Sequence, residues 1–351
     1  MADVPLTPAA AVPDPEDARA RLERELGSFE RFAGAAALGP GAVERLERHA
    51  FVVRPPGVRG ESIDLLFMAL MHGNEFGGLP VLNAMCGYLE QGVLAPSSSI
   101  GFLLCNVEAA RRGVRFVERD LNRSFGETAP DTLEARRARE LKPILSRARY
   151  SVDLHQTIEP SDAPFFVFGY QESTLRFAHA VSPESPVVTY WGRPFSDAAG
   201  ADCTSGEFLD RAGAVGFSIE LGQKGFGLYE VAMGIRVCLQ AIAAVDALGR
   251  GVPLPPLTDR ANPIYTWSAI VPYPAGDVRL ESGLKNFQPV APRQRLGTHD
   301  GEPLVAERSG LLLFPKYRYS KTEPKPAELY RLLRRPALSE LGQGDCLAPY
   351  H

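Results

Sequence analysis

The sequence predicts an α/β protein, with a mixed sheet covered by helices on both faces and a small all-β domain after it. Three observations carry that expectation. From Phe51 onward short apolar runs alternate with helical patterns, as they do in a sheet joined by crossover helices. The run 63–71 is almost continuously hydrophobic and leads directly into His72-Gly73-Asn74-Glu75, which suits a strand buried on both faces that ends in a polar loop. After Gly251-Val252-Pro253-Leu254-Pro255-Pro256-Leu257 the helical periodicity is lost, and short β-rich pieces separated by Pro and Gly replace it.

Taken in order, residues 1–15 are rich in Pro and Ala and are expected to be loose. A charged amphipathic helix is expected over 16–32, where Ala18, Leu22, Leu26 and Phe29 fall at helical spacing, and a second short helix over 41–49. Together these make an N-terminal helical extension, 1–50. The main domain, 51–250, is expected to have strands at 51–54, 63–71, 100–106, 150–155, 165–169, 186–191 and 214–221. Its helices are expected at 78–90, 131–147, 171–180 and 227–248. Asp131-Thr132-Leu133-Glu134 gives the second of these a start like a capping box. The linker 251–257 precedes a β domain at 260–320, with strands near 265–271, 278–280 and 310–314. The tail, 321–351, is basic and Pro-containing, with a short Leu-rich helix expected near 327–333.

Bulk composition excludes several classes of function. The 351 residues are 45% hydrophobic and 23% charged, as in a soluble globular protein, and suffice for one large core plus a smaller domain. A net charge of −4 leaves no electrostatic footprint for nucleic acid or an anionic membrane. The N-terminus lacks the basic start and apolar core of a secretory signal. No apolar run is expected to approach the roughly 20 residues of a membrane helix. The cysteines, Cys86, Cys105, Cys203, Cys238 and Cys346, are dispersed without a CxxC. Buried thiols in a reducing compartment are therefore expected, with the cytoplasm as location.

The six histidines divide into two groups. His49, His179, His299 and His351 have no partner motif and are expected to be packed or surface residues. His72 and Glu75 follow one buried strand, and His155 ends a second, Tyr150-Ser151-Val152-Asp153-Leu154-His155, with Asp153 on its face. Two imidazoles and a carboxylate at strand ends of one sheet form a three-ligand set with an open fourth position, the pattern of catalytic zinc. Between them lie Arg115 and Asp120-Leu121-Asn122-Arg123; guanidinium groups there can clamp a carboxylate or hold charge on a carbonyl oxygen. Glu220 sits among apolar neighbours in Gly216-Phe217-Ser218-Ile219-Glu220-Leu221-Gly222. A carboxyl so placed is costly unless it is paired, linked to a metal, or held at a raised pKa as a general base.

In order and spacing, His72-x-x-Glu75, Arg115, Asp120-Leu121-Asn122-Arg123, Asp153-Leu154-His155 and Glu220-Leu221-Gly222 resemble the succinylglutamate desuccinylase/aspartoacylase family of the zinc carboxypeptidase-like group. The likeness runs from about residue 63 to 227, and the trailing β domain fits as well. The resemblance implies a zinc-carboxypeptidase-like sheet and one zinc ion per chain, held by His72, Glu75 and His155. It further implies Glu220 as catalytic base, Arg115 as the arginine that steadies the oxyanion, Asn122 and Arg123 as the grip on the substrate carboxylate, and Asp120 as the residue that orients His72. Two features depart from or vary within the family. Asn106-Val107 stands where the family usually has Asn-Pro, and Gln156-Thr157 follow His155 where members vary. Arg211 is expected on the surface.

The implied activity is zinc-dependent hydrolysis of the amide bond of a small N-acyl amino acid, a carbon–nitrogen bond other than a peptide bond, with the β domain narrowing the entrance. A metallocarboxypeptidase or cell-wall peptide hydrolase, and a catalytically silent scaffold that binds a small carboxylate, are the alternatives. Neither nucleic acid nor membrane is an expected partner, and homo-oligomerisation is left open.

Overall fold

The computed structural model describes residues 15–191, 202–257, 262–317 and 326–342. The described residues begin with α1 (Pro15–Ala33), β1 (Ala37–Leu38), β2 (Gly41–Glu47) and β3 (Ala50–Arg54). The body follows as β4 (Ile63–Ala69), α2 (Gly78–Glu90), β5 (Ile100–Leu104), α3 (Val107–Arg111), α4 (Leu133–Leu145), β6 (Ala148–Thr157) and β7 (Phe165–Gly169). It continues with α5 (Glu172–Val181), β8 (Val187–Tyr190), α6 (Ser205–Arg211), β9 (Val215–Gln223) and α7 (Leu228–Gly249). The last strands are β10 (Ile264–Pro272), β11 (Val278–Leu280), β12 (Pro289–Val290), β13 (Arg295–His299), β14 (Glu302–Val305), β15 (Gly310–Leu313) and β16 (Glu328–Arg334).

Among the described residues one sheet runs β1-β2-β3-β5-β4-β6-β9-β7-β8-β10-β16-β15-β12, and β11-β13-β14 form a second, small antiparallel sheet. In the large sheet β5, β4, β6 and β9 are mutually parallel, so their carboxyl ends share one edge. From β4 the chain passes to β5 on one side and then returns to β6 on the other. A topological switch point therefore falls between β4 and β6, where open α/β sheets place their ligands.

The continuous apolar run of β4 is explained by its two covers. Leu65, Phe67 and Ala69 face a core shared with residues of α1, α2, α5 and α7, such as Leu26, Leu82, Phe177 and Ile242. Leu66 and Met68 face the opposite core, with Leu141 and Leu145 of α4 and Leu209 of α6. Period-two alternation is absent because neither face meets water. The strand stops at Ala69, two residues short of the expected end. Leu70 is buried in the left-handed region (φ 58) and turns the chain toward His72, a conformation unusual for a residue with a side chain.

Several expectations are corrected. Residues 41–49 form no helix; β2 pairs with β3 in the registers Val43↔Val53 and Glu44↔Val52, the adjacent ladder overriding a helix-like mixture of charges. Residues 327–333 are likewise a strand, β16, paired on both sides with β10 and β15. A short Leu-rich segment does not by itself distinguish buried strand from buried helix. The capping box is not at Asp131: Thr132 caps α4 through Ala135 N (3.2 Å). The box occurs instead at Thr204 and Glu207 of α6. The five-residue α3 and the seven-residue α6 are too short to show a helical period and were not expected. Helix α7 is, by length and composition, long and apolar enough to cross a membrane, contrary to expectation. Its Val237, Ala241 and Val245 pack into the main core.

Cys86, Cys105, Cys203 and Cys238 are buried free thiols. Cys346, His351, residues 1–14 and, in the tail, residues 321–325 and 343–351 lie outside the described residues.

Candidate active site

The site is assembled where four parallel strands end. After β4, His72 and Glu75 occupy a tight turn closed by Glu75 N donating to His72 O (3.1 Å). Gly73 has a reason to be glycine: a Cβ there would stand 2.4 Å from the backbone of Ala109 and Ala110 in α3. Beside it, β6 delivers Asp153 and His155, and its neighbour β9 places Glu220 in register with His155.

Glu75 joins the two imidazoles. Its Oε1 lies 2.8 Å from His72 Nδ1, and its Oε2 lies 3.0 Å from His155 Nδ1 and accepts from Gln156 N at 3.1 Å. All three residues are buried, and their ligand atoms lie within 4.8 Å of one another, a group suited to one metal ion. Behind each ring stands a separate carboxylate: Asp120 Oδ1 is 3.2 Å from His72 Nε2, and Asp153 Oδ2 is 3.0 Å from His155 Nε2. At His155 such backing fixes the tautomer and turns Nδ1 toward the common point; His72 Nε2 lies also 2.6 Å from Arg115 Nη2. The donor set is thus two nitrogens and a carboxylate oxygen with their outer nitrogens held, which fits zinc.

Electrostatics agree with the geometry. Burial works against charge on Glu75, but His72 and His155 hold its carboxyl well below the usual range. Burial also opposes a charged His155, yet Asp153 and Glu75 together hold it well above an ordinary imidazole. For Glu220 burial prevails, the Glu75 carboxylate adds to it, and the carboxyl is raised to about 7. Its Oε2 is buried without a hydrogen-bond partner among the described residues. A carboxylate and a near-neutral acid are thereby held side by side in different states.

The loop carrying Arg115 and Asp120 is tied down by Glu134, a fully buried residue of α4. Its carboxylate accepts from the backbone N–H groups of Val117 (2.6 Å), Glu118 (3.1 Å) and Arg119 (3.0 Å). Arg115 donates to Asp120 Oδ2 (3.2 and 3.1 Å) and Glu75 Oε1 (3.2 Å), while 40% of its side chain is exposed. Asp120 then caps the short turn Leu121–Arg123 through Asn122 N (2.9 Å). Asn122 Oδ1 accepts from Ser205 N (2.9 Å) and Oγ (3.0 Å), leaving its amide N–H groups for other partners. His72, Glu75, Arg115, Asn122, Arg123, His155 and Glu220 all line one pocket, and Asp120 supports it from behind.

The residues set aside from the sequence lie elsewhere. His49 pairs with Glu30, His179 with Asn262, and His299 with Ala275 O; Arg211 is exposed. Both variable features have structural explanations. Asn106 caps α3 through Ala109 N (3.2 Å), so Val107 fills the first helical position, which tolerates proline without requiring it. Gln156 accepts from Gly77 N (2.7 Å) and donates to Gln223 O (2.9 Å), a cross-link between strand ends.

Sequence reasoning placed Asp153 on the right face without assigning it to His155, and missed Glu134 and Ser205. The i, i+2 spacing of Asp153 and His155 was the available signal; Glu134 and Ser205 act across folds of the chain and left none. Replacing Asp153 by Asn is expected to weaken zinc binding about 10- to 100-fold, the usual scale for such backing groups, as measured by competition with a chromophoric chelator.

A mixed sheet of this topology, with imidazoles and carboxylates at the ends of its central parallel strands, defines the zinc-carboxypeptidase-like class of fold. The family model of the succinylglutamate desuccinylase/aspartoacylase catalytic domain matches residues 61–240, and the chain belongs to that family. It is 33% identical to the succinylglutamate desuccinylase of Pseudomonas fluorescens strain Pf0-1 over 192 residues, 51% of this chain and 55% of that protein. The chain thus spans about half the length of the curated relatives it matches. The succinylglutamate desuccinylase structure from Chromobacterium violaceum superposes with a TM-score of 0.66 at 21% identity, covering 90% of this chain and 98% of that one. Murine aminoacylase 3 superposes with a TM-score of 0.59 at 20% identity, covering 79% and 97%. These structures share the fold.

Proposed function

We propose that this protein is a zinc-dependent deacylase that hydrolyses the amide bond of a small N-acyl amino acid. The observation that carries the reading is the Glu75 carboxylate shared between two imidazoles, each backed by its own aspartate, with Glu220 beside them on the next strand. His72, Glu75 and His155 would hold the zinc, which when bound supplies Lewis-acid polarisation and a more acidic water.

The chain's own groups do the rest. The Asn122 amide and the Arg123 guanidinium hold the substrate carboxylate, so that the scissile carbonyl is oriented rather than merely concentrated. Glu220 takes the proton of the attacking water and returns it to the departing amine nitrogen. Arg115 is held by Glu75 and Asp120 at the pocket wall, and its second Nη–H groups serve the carbonyl oxygen as charge grows there.

A screen of N-acetyl and N-succinyl amino acids for release of free amine by zinc-loaded protein tests the reading. Turnover of these compounds with no cleavage of tripeptides is expected. Peptide cleavage alone would make the protein a peptidase, and turnover of neither would make it a binding scaffold.

A further inference from the structure

The pocket continues from the catalytic acid down the face of the sheet, into a branch that the proposed chemistry does not use. Gly216, Ser218 and Glu220 alternate along β9 and share one face of it, and all three line the pocket. Val167 and Gly169 of the neighbouring β7 line it too, with Val167 paired opposite Ser218. The floor of the branch is therefore made largely of two glycines and a serine. Gly216 is held to glycine, because a Cβ there would stand 1.9 Å from Ser151 Oγ. Helix α6 lies over this floor and adds Gly206 and Asp210 to the lining, four residues apart and so on one helix face. The Asp210 carboxyl rests against bare backbone: a Cβ built on Gly169 would stand 3.5 Å from its Oδ2.

The same helix carries the grip on the substrate carboxylate. Asn122 Oδ1 accepts from Ser205 N (2.9 Å) at the start of α6, and Asp210 follows further along the helix, a rise of about 7 Å. That span is on the scale of an extended amino-acid side chain. Among the described residues the Asp210 carboxyl has neither an ion pair nor a hydrogen bond, and the charged group that acts on it is another acid, Glu207. Glu207 itself is engaged in the capping box, its Oε2 accepting from Thr204 N (2.8 Å). A part-buried carboxylate without a counter-ion at a pocket wall is costly, and an arriving cation offsets that cost.

We propose that Asp210 is a specificity-determining residue whose carboxylate binds an ammonium group on the side chain of the substrate's amino-acid half. The protein then prefers N-acyl amino acids with a cationic side chain over those with a neutral side chain of the same length. Asn122 and Arg123 hold one end of such a ligand and Asp210 the other, with the small residues of β7 and β9 beneath the methylenes between them. Charge supports the same assignment. Burial first, and Glu207 second, raise the Asp210 carboxyl to about 7, so its surroundings disfavour the charge that a bound ammonium would favour. An apolar side chain in this branch would leave the carboxyl unpaired, and an anionic one would be repelled, which is how a single acid selects against both.

The inference rests on the deacylase reading for its catalytic test, and a binding test separates the two. Full-length zinc-loaded protein, Asp210→Asn and Asp210→Glu are compared on Nα-acetyl-L-ornithine and on Nα-acetyl-L-norvaline, which differ only by the ammonium group. The wild type is expected to favour the ornithine compound by about ten-fold or more in kcat/KM, the scale of a charge-assisted contact. Asp210→Asn should lower kcat/KM for that compound about 10- to 100-fold, mainly through KM, and so erase the preference. Asp210→Glu, which keeps the charge, should retain a preference for the ornithine compound. Equal efficiency on both compounds in the wild type, or a fall of the same size on both in Asp210→Asn, would overturn the role. So would turnover of other N-acyl amino acids without turnover of the ornithine compound. If the wild type hydrolyses no N-acyl amino acid, the deacylase reading fails and calorimetry with L-ornithine against L-norvaline decides for Asp210. Ornithine binding that Asp210→Asn weakens about ten-fold or more supports it. Ornithine binding that is absent, or indifferent to the substitution, refutes it.

Discussion

Glu220→Gln is expected to lower kcat by about two to four orders of magnitude, the scale of general acid–base catalysis, while zinc content stays at the wild-type level. Glutamine keeps the shape of glutamate but cannot accept the proton of the attacking water. The fold should tolerate the change, because Glu220 Oε2 makes no hydrogen bond among the described residues that glutamine would lose. A pH profile adds a second reading. Burial holds the Glu220 carboxyl at about 7, and a dication at the adjacent cluster favours its ionised form. The base is active when deprotonated, so kcat/KM should fall as pH drops, with an acid limb below 7 that the glutamine variant lacks. Steady-state kinetics with metal analysis checks both points, and near-wild-type turnover would remove Glu220 from the chemistry.

His155→Ala is expected to abolish stoichiometric zinc retention, and activity with it. The substitution removes one of three donors and leaves Asp153 without the ring nitrogen it faces. In the wild type, zinc and protons should compete at this position. Asp153 and Glu75 hold His155 well above the ordinary imidazole value against the effect of burial, so zinc uptake must expel a proton. Affinity should accordingly weaken as pH falls. Zinc per chain after dialysis, with circular dichroism to confirm folding, reads the first effect; proton release on titration with zinc reads the second.

Much of this arrangement was legible in the residues, and the exceptions have a common cause. The buried strand before His72, the imidazole at the end of β6 and the isolated acid in β9 all announce themselves by local pattern: an apolar run interrupted by one chemically costly side chain. Pattern also located α2, whose bounds match the expected 78–90. It failed where a partner strand settled the conformation, as for β2 and β16, whose sequences do not oppose a helix. It also failed for contacts made across the fold. Nothing local to Glu134 indicates that its carboxylate gathers three backbone N–H groups of the Arg115 loop.

The convergence of His72, Glu75 and His155 on one cation is tested most directly by anomalous scattering at the zinc edge from crystals grown with zinc. One peak is expected within about 2.0–2.2 Å of both Nδ1 atoms and a Glu75 carboxylate oxygen, the usual zinc distances. A peak bound elsewhere, or none between these three side chains at full zinc loading, would contradict the proposed centre.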